Sequence, residues 1–328
     1  MSTSAIRRTL WEVNTALVPG IVGMVWFLGI GVLANLVTCV VVAVLCEASV
    51  LAVRKRTLAT LLDGSAVMTG ILMALCLSPL IPLALLLPGV AIAIIFGKQL
   101  FGGLGHNPFN PAMVGYAVLI LSFPTQMTLW PSLSSDPFFN SLTINETIAI
   151  KLHSDVPDAV TMATPLDQMK FRGTLTISEV WASSASFGTV GGTGWEVINL
   201  LFLAGGILLI LRRRIDWSTP TAMLLTMAVA TALLYDSGSS ESVGSPLFHL
   251  FSGGTMLTAF FITTDPVTTP ISKLGRCLFG IGVGLLVVVI RSWGAYPDGM
   301  AFAILLMNAA TPLIDHWTTK RSTAVVTP

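Results

Sequence analysis

The residues with chemical potential are few, and they interrupt an otherwise apolar chain. Thr161 and Thr164 flank Met162 and Ala163, Pro165 follows, and Asp158 and Asp167 bound the stretch. Pro165 disfavours a helical backbone at Thr164 and holds it extended. The small Ala163 leaves the Thr164 hydroxyl uncovered. A reachable, extended hydroxyl suits modification by an external enzyme, and the same pattern also reads as a plain Thr/Pro loop. No base or nucleophile constellation surrounds it, so this is not a hydrolase site and no catalytic residue is assigned.

A second stretch runs from Lys98 to Ala112. Gly102, Gly103 and Gly105 allow backbone to approach a ligand, and Asn107 and Asn110 each precede a proline. Asn110 is expected to cap a helix opened by Pro111, which either exposes N–H donors to a polar ligand or simply breaks a helix. Asp265 ends an apolar run beside Pro266 and could bind a cation, hydrogen-bond a polar ring or cap the next helix. Glu47 lies inside an apolar run, two turns before Arg54 and Arg56. It reads either as an ion-pathway carboxylate or as a headgroup-level acid paired with those arginines. Asp298 falls in a tight aromatic turn and reads as a helix cap. Cys39, Cys46, Cys76 and Cys277 form no C-x-x-C pair, and His106, His153, His249 and His316 are scattered. No metal site is expected.

These residues need a scaffold, and composition says which kind. The 328 residues are 54% hydrophobic and 10% charged, with a mean hydropathy of +0.83. Soluble domains carry roughly 25% charge, so the chain is expected to be a polytopic membrane protein held in a lipid bilayer. No basic block is interleaved with aromatics, which excludes nucleic acid as a partner. Ten apolar runs stand out, at 16–31, 33–53, 65–80, 82–96, 111–123, 195–211, 219–234, 248–264, 278–290 and 299–313. Several are shorter than the ~20 residues of a straight span, and Gly and Pro interrupt them, which predicts broken helices. Arg7 and Arg8 precede the first run as in a signal peptide, but no small-residue cleavage site follows, so an uncleaved span is expected.

With both termini in the cytoplasm and ten alternating spans, thirteen of the seventeen basic residues fall on the cytoplasmic side. The positive-inside rule favours that orientation, which puts the loop carrying Thr164 on the outer, periplasmic face. A faint repeat relates 63–79 to 252–266 and 107–115 to 295–303. The expected fold is therefore an all-α polytopic membrane protein, with about ten transmembrane helices arranged as two inverted five-helix repeats with broken helices. Residues 1–123 form the first repeat, 124–194 the outer loop and 195–328 the second repeat. Such a fold places sites near the midplane, at the repeat interface.

Five motifs then carry a resemblance: G-G-L-G-H-N-P-F-N-P-A at 102–112, D-A-V-T-M-A-T-P-L-D at 158–167, S-G-G-T-M at 252–256, F-F-I-T-T-D-P-V at 260–267 and Y-P-D-G-M-A-F-A at 296–303. Together they resemble RnfD, a membrane component of the Rnf ion-translocating electron-transport complexes. That family is related to NqrB of the sodium-pumping NADH:quinone oxidoreductases. The resemblance runs from about Thr15 to His316. It implies FMN joined through its phosphate to a threonine hydroxyl, at the last residue of a Ser/Thr-Gly-Ala-Thr motif or close variant. The matching residue is Thr164. Thr161 stands for the serine and Met162 for the glycine, while Ala163 and Thr164 keep the core, with Asp158 and Pro165 beside it. The resemblance also implies a second, non-covalent flavin, riboflavin, within the membrane part, placed here near Asn107, Asn110 and Asp265. It implies a bacterial inner-membrane component of a complex that moves electrons between ferredoxin and NAD and couples this to ion movement. The implied partners are the other membrane and peripheral subunits, including a second periplasmic FMN subunit and iron–sulfur subunits. From the residues alone, a small-solute channel or transporter of similar inverted-repeat architecture is the competing reading.

Overall fold

The computed structural model describes residues 3–132, 142–153, 156, 160–296 and 298–324. Asp158, expected beside the tether, lies outside the described residues. The first part of the chain forms α1 (Thr3–Ala16), α2 (Val18–Leu28), α3 (Gly31–Val53), α4 (Ser65–Cys76), α5 (Leu83–Ile94), which ends in a π-helical turn (Ile95–Gln99), and α6 (Pro111–Ser122). Short elements follow: α7 (Pro124–Thr128), β1 (Trp130–Pro131), α8 (Ile144–His153), β2 (Thr161–Met162), α9 (Pro165–Lys170) and α10 (Ile177–Ser183). The last part holds α11 (Trp195–Leu211), α12 (Ser218–Leu233), α13 (Pro246–Phe251), α14 (Thr255–Leu257) with a second π-helical turn (Thr258–Ile262), α15 (Lys273–Trp293) and α16 (Met300–Ala324).

Each of the ten apolar runs is helical, because a chain segment in lipid must satisfy its own backbone hydrogen bonds. Among the described residues, three helices are long and apolar enough to cross a bilayer: Arg7–Leu28, Gly31–Val53 and Lys273–Trp293. Val22, Val37, Val41, Leu45 and Leu285 on their outer faces are exposed, as lipid-facing side chains are. The chain is a helical membrane protein. α4, α5, α6, α11 and α12 are shorter apolar helices that pack around and between the long ones.

Close helix contacts depend on missing side chains. A Cβ at Gly70 of α4 would lie 2.8 Å from Val40 Cα of α3, and one at Gly280 of α15 would lie 2.5 Å from Thr219 O of α12. In a membrane, where apolar burial drives little association, such small-residue contacts let backbones approach.

The run at 248–264 is not one helix. α13 stops at Phe251 and α14 starts at Thr255, with Gly253 at φ +60° between them. Such a break leaves orphan backbone groups, and Asn199 of α11 takes two of them. Its Nδ2 donates to Gly253 O at 2.9 Å, and its Oδ1 accepts from Met256 N at 3.0 Å. α4 also opens after a glycine with positive φ, Gly64, and there Asp63 Oδ1 accepts from Ser65 N. Both helices thus begin on a hydroxyl residue, Ser65 and Thr255. The helices that open the two parts share a text as well: Trp11-Glu12-Val13-Asn14 in α1 and Trp195-Glu196-Val197-Ile198-Asn199 in α11.

Candidate functional site around Thr164

β2 pairs antiparallel with β1, Met162 opposite Trp130 and Thr161 opposite Pro131, which fastens the Thr164 stretch to the chain leaving α6 and α7. Thr164 has φ −63° and ψ 158°, the extended backbone that the following proline demands. It caps α9, and Pro165 is the first helical residue, where its missing N–H costs nothing. Ala163 is exposed and Thr164 half-buried. The hydroxyl is not idle. Thr164 Oγ1 donates to Asp167 Oδ2 at 2.5 Å and accepts from Asp167 N at 3.2 Å, while Thr164 N donates to Asp167 Oδ2 at 3.1 Å. This is a capping box with aspartate in the third position. Gln168 Nε2 ties Ala163 O at 2.9 Å to Ser186 Oγ at 2.8 Å, so the stretch is held on both sides.

Burial pushes the Asp167 carboxyl above the usual carboxylate range; the bonds from Thr164 oppose that shift and the nearby Asp298 charge adds to it. A raised affinity for protons beside a hydroxyl makes Asp167 a proton acceptor for Thr164 Oγ1.

Thr164, Pro165 and Asp167 form the rim of a cleft of about 920 Å³, counted out to its open mouth. The inner wall comes from both parts of the chain. Cys76 at the end of α4 and Met113 and Tyr116 of α6 face it from one part, and Gly253, Gly254 and Asp298 from the other. Trp130 and Trp195 meet edge to face, centroids 5.4 Å apart, and both line it. A Cβ built at Gly254 meets nothing nearer than Thr258 Oγ1 at 4.0 Å, so bare backbone shapes that wall. An aromatic, largely apolar slot with a few convergent polar groups takes a planar heteroaromatic ring. The lining residues are of the kind that would accept a flavin ring.

The other expected residues fall elsewhere. Asn110 caps α6 as anticipated, Oδ1 accepting from Met113 N at 3.3 Å. Its Nδ2 makes a long 3.5 Å contact with Asp265 Oδ2, so these two do meet. Asn107 is buried, and its Nδ2 donates to Phe109 O at 3.0 Å within its own turn. Asp265 takes Val267 N at 3.0 Å and Thr268 Oγ1 at 3.2 Å, a cap of the turn that follows it.

Glu47 is paired, but not with Arg54 or Arg56. Lys98 Nζ lies 2.8 Å from both carboxylate oxygens and donates to Ser65 Oγ at 2.6 Å, and Gln99 Nε2 donates to Glu47 Oε1 at 2.7 Å. Arg54 and Arg56 instead cap the carbonyls of Gln99 and Gly102. Lys98, expected among the basic residues of a cytoplasmic loop, is 2% exposed. It stays inside because its charge has a buried partner within reach.

Sequence reasoning missed Lys98, Arg291, Asn199 and the role of Asp167. The only available signals were the twin Trp-Glu-Val texts and the aspartate three residues after Thr164.

The profile of the family described as NQR2, RnfD, RnfE matches residues 1–324. A Pseudomonas paraeruginosa protein, named as the D subunit of an ion-translocating oxidoreductase complex, is 48% identical over 324 residues, covering 98% of this chain and 92% of its own. A protein of the same name from Escherichia coli is 42% identical over 328 residues, covering 96% and 93%. One from Yersinia enterocolitica is 44% identical with the same coverage. With the profile spanning nearly every residue and relatives this similar over their whole length, the chain belongs to the NQR2, RnfD, RnfE family.

Proposed function

We propose that this chain is the flavin-carrying membrane subunit of an ion-motive electron-transport complex. The complex passes electrons between ferredoxin and NAD(H) and couples them to ion translocation. FMN is carried on Thr164 Oγ1 as a phosphodiester. The observation that supports this most is the position of that hydroxyl, on an extended backbone at the rim of an aromatic cleft, with a carboxylate on its proton. When bound, the flavin supplies one- and two-electron transfer. The chain supplies the rest. When Oγ1 attacks the flavin phosphorus of a flavin dinucleotide brought by the transferase, and the diphosphate bond breaks to release the nucleoside monophosphate, Asp167 Oδ2 would receive the hydroxyl proton. The capping box and the β1–β2 ladder fix the tether, and the Trp130–Trp195 and Tyr116 walls exclude water from the ring. A second flavin, riboflavin, is assigned to the polar pair of Asn110 and Asp265, whose long mutual contact a ring edge would replace, with Asn107 holding the loop.

In this reading the two parts are inverted repeats of about ten spans, with Trp11–Asn14 and Trp195–Asn199 as counterparts and Ser65 and Thr255 opening equivalent broken helices. Both termini face the cytoplasm of a bacterium and Thr164 faces the periplasm, in keeping with the charge asymmetry. NAD and ferredoxin bind iron–sulfur and other subunits of the complex, and a second periplasmic FMN subunit lies close to the Thr164 face.

The test is a denaturing gel viewed under ultraviolet light, on protein from cells that contain the flavin transferase. The polypeptide band fluoresces in the wild type. A Thr164→Ala band is dark although the protein still inserts and folds. An Asp167→Asn chain acquires the adduct at least about tenfold more slowly, as loss of a positioned general base implies. A dark wild-type band contradicts the reading.

A further inference from the structure

A second cavity, of about 590 Å³ counted in the same way, lies on the far flank of α9, with Leu166 shared between it and the Thr164 cleft. Nothing in the flavin reading uses it. Its lining brings three cations together, Lys170, Arg172 and Arg291, against one carboxylate at the exposed rim, Glu241. Lys170 Nζ donates to Ile290 O at 3.0 Å and Tyr296 O at 2.8 Å, which leaves one of its three N–H groups over. Arg172 is spread over the carbonyls of Met169, Leu175, Ser240 and Ser242. Carbonyl oxygens carry only partial charge, and among the described residues neither Lys170 nor Arg172 forms an ion pair, although the Asp167 carboxylate acts on Lys170 from a distance. The third, Arg291, has Asp298 at 3.3 Å. Burial lowers the proton affinity of Lys170 and Arg172, and the Asp167 charge partly offsets this at Lys170.

The same lining residues hold polar atoms with no partner among the described residues: His249 Nδ1, Arg291 Nε and Ser292 Oγ. His249 and Arg291 are each 3% exposed. His249 Nε2 lies 2.8 Å from Val243 O, and a carbonyl only accepts, so Nε2 carries the proton and Nδ1 is an acceptor. The cavity therefore offers several N–H and O–H donors, more cations than carboxylates, and a buried acceptor in His249 Nδ1 that needs a donor from the ligand. A cation is excluded by the charge. A bare carboxylate has no proton for His249. A tetrahedral oxyanion that also carries a hydroxyl satisfies both requirements, and the volume holds one. Trp293, 67% exposed on the rim, is the kind of residue that sits at headgroup level.

We propose that this cavity binds a phosphate-class oxyanion bearing a hydroxyl, which is either hydrogen phosphate or the glycerol phosphodiester of an anionic lipid headgroup. Bound there, the anion joins Lys170 and Arg172, at the end of α9, to Arg291 and Ser292 of α15. It fixes from behind the short helix whose cap is Thr164, and it does so whether or not Thr164 carries a flavin.

The experiment uses the full chain in nanodiscs. One arm holds the protein in phosphatidylcholine and adds inorganic phosphate or, at matched ionic strength, chloride, and reads the melting temperature. The other compares phosphatidylcholine with phosphatidylglycerol discs and reads retained lipid by native mass spectrometry. Saturable stabilisation by phosphate assigns the free anion; preferential retention of phosphatidylglycerol assigns the headgroup. Lys170→Met and His249→Gln each weaken the effect at least about tenfold. Equal response to phosphate and chloride together with no lipid preference overturns the proposal. So does a preference that survives both substitutions.

Discussion

Two ion pairs sit under the first residues of two helices, α4 and α14, and they are built differently. In one, Lys98 reaches Ser65, which opens α4, and Glu47 of α3. In the other, Arg291 reaches Thr255, which opens α14, at 3.1 Å, and Asp298 at 3.3 Å. The Lys98 cluster is closed: its side chains are 2% and 4% exposed, and all three ammonium protons are used. The Arg291 cluster is open: Asp298 is 30% exposed, lines the Thr164 cleft and leaves Arg291 Nε without a partner among the described residues. Similar parts make a seal in one place and a ligand-facing wall in the other. The difference is where the carboxylate comes from. Glu47 projects from the C-terminal part of a long helix into packed protein, whereas Asp298 stands on the turn before α16, beside a cavity.

The sharpest way to break this comparison is to unpair the closed cluster. Lys98→Met leaves Glu47 as an uncompensated buried charge and is expected to cost about 3–5 kcal/mol, read as thermal unfolding in detergent. Replacing Glu47 by Leu in the same chain restores most of that stability, because an apolar pair of similar volume removes the desolvation problem. The open cluster responds less. Asp298→Asn keeps a hydrogen-bonding group beside Arg291 and is expected to cost about 1–3 kcal/mol. Its larger effect falls on the redox potential of a flavin in the cleft, which rises when the neighbouring negative charge is removed. Equal destabilisation by the two substitutions would erase the distinction between seal and wall.

A third test concerns a buried cation that, among the described residues, is held by neutral oxygens. Lys151 of α8 is buried and donates to Asn35 Oδ1 and, at 2.8 Å, to Ile81 O, tying α8 to the starts of α3 and α5. Burial pushes its pKa down to about 7. The unfolded chain then binds the proton more tightly than the folded one, so stability rises with pH from about 7 toward the ordinary lysine value near 10.4. Hydrogen exchange across α8, corrected for intrinsic rate, is expected to slow over that window. Lys151→Met flattens the dependence.

Helices and their approximate positions were legible because lipid forces apolar runs, and the extended backbone at Thr164 was legible because Pro165 follows it. The ion pairs were not. Glu47 finds its partner 51 residues away, beyond α4, α5 and the loops around them, and no local spacing encodes that. Lys98 was grouped with surface basic residues because a charge near the end of an apolar run normally reaches water. Broken helices were expected from the Gly and Pro interruptions, but the run at 248–264 did not itself mark where it breaks, since Phe248, Leu250, Phe251, Leu257, Phe260 and Phe261 read as continuous on either side of 252–254. What stops the helix is Ser252-Gly253-Gly254, and what makes stopping tolerable is Asn199, a residue from another helix. The cleft is likewise a tertiary product, since Cys76, Tyr116, Thr164, Gly254 and Asp298 are spread over most of the chain.

The central claim is one oxygen atom. Protein from cells containing the flavin transferase is digested, and the peptide bearing Thr164 is identified by tandem mass spectrometry. The account predicts an FMN-sized mass increment localised to Thr164, not Thr161, and absent from Thr164→Ala. An unmodified Thr164 peptide from fully active cells, or an increment localised to Thr161, contradicts it.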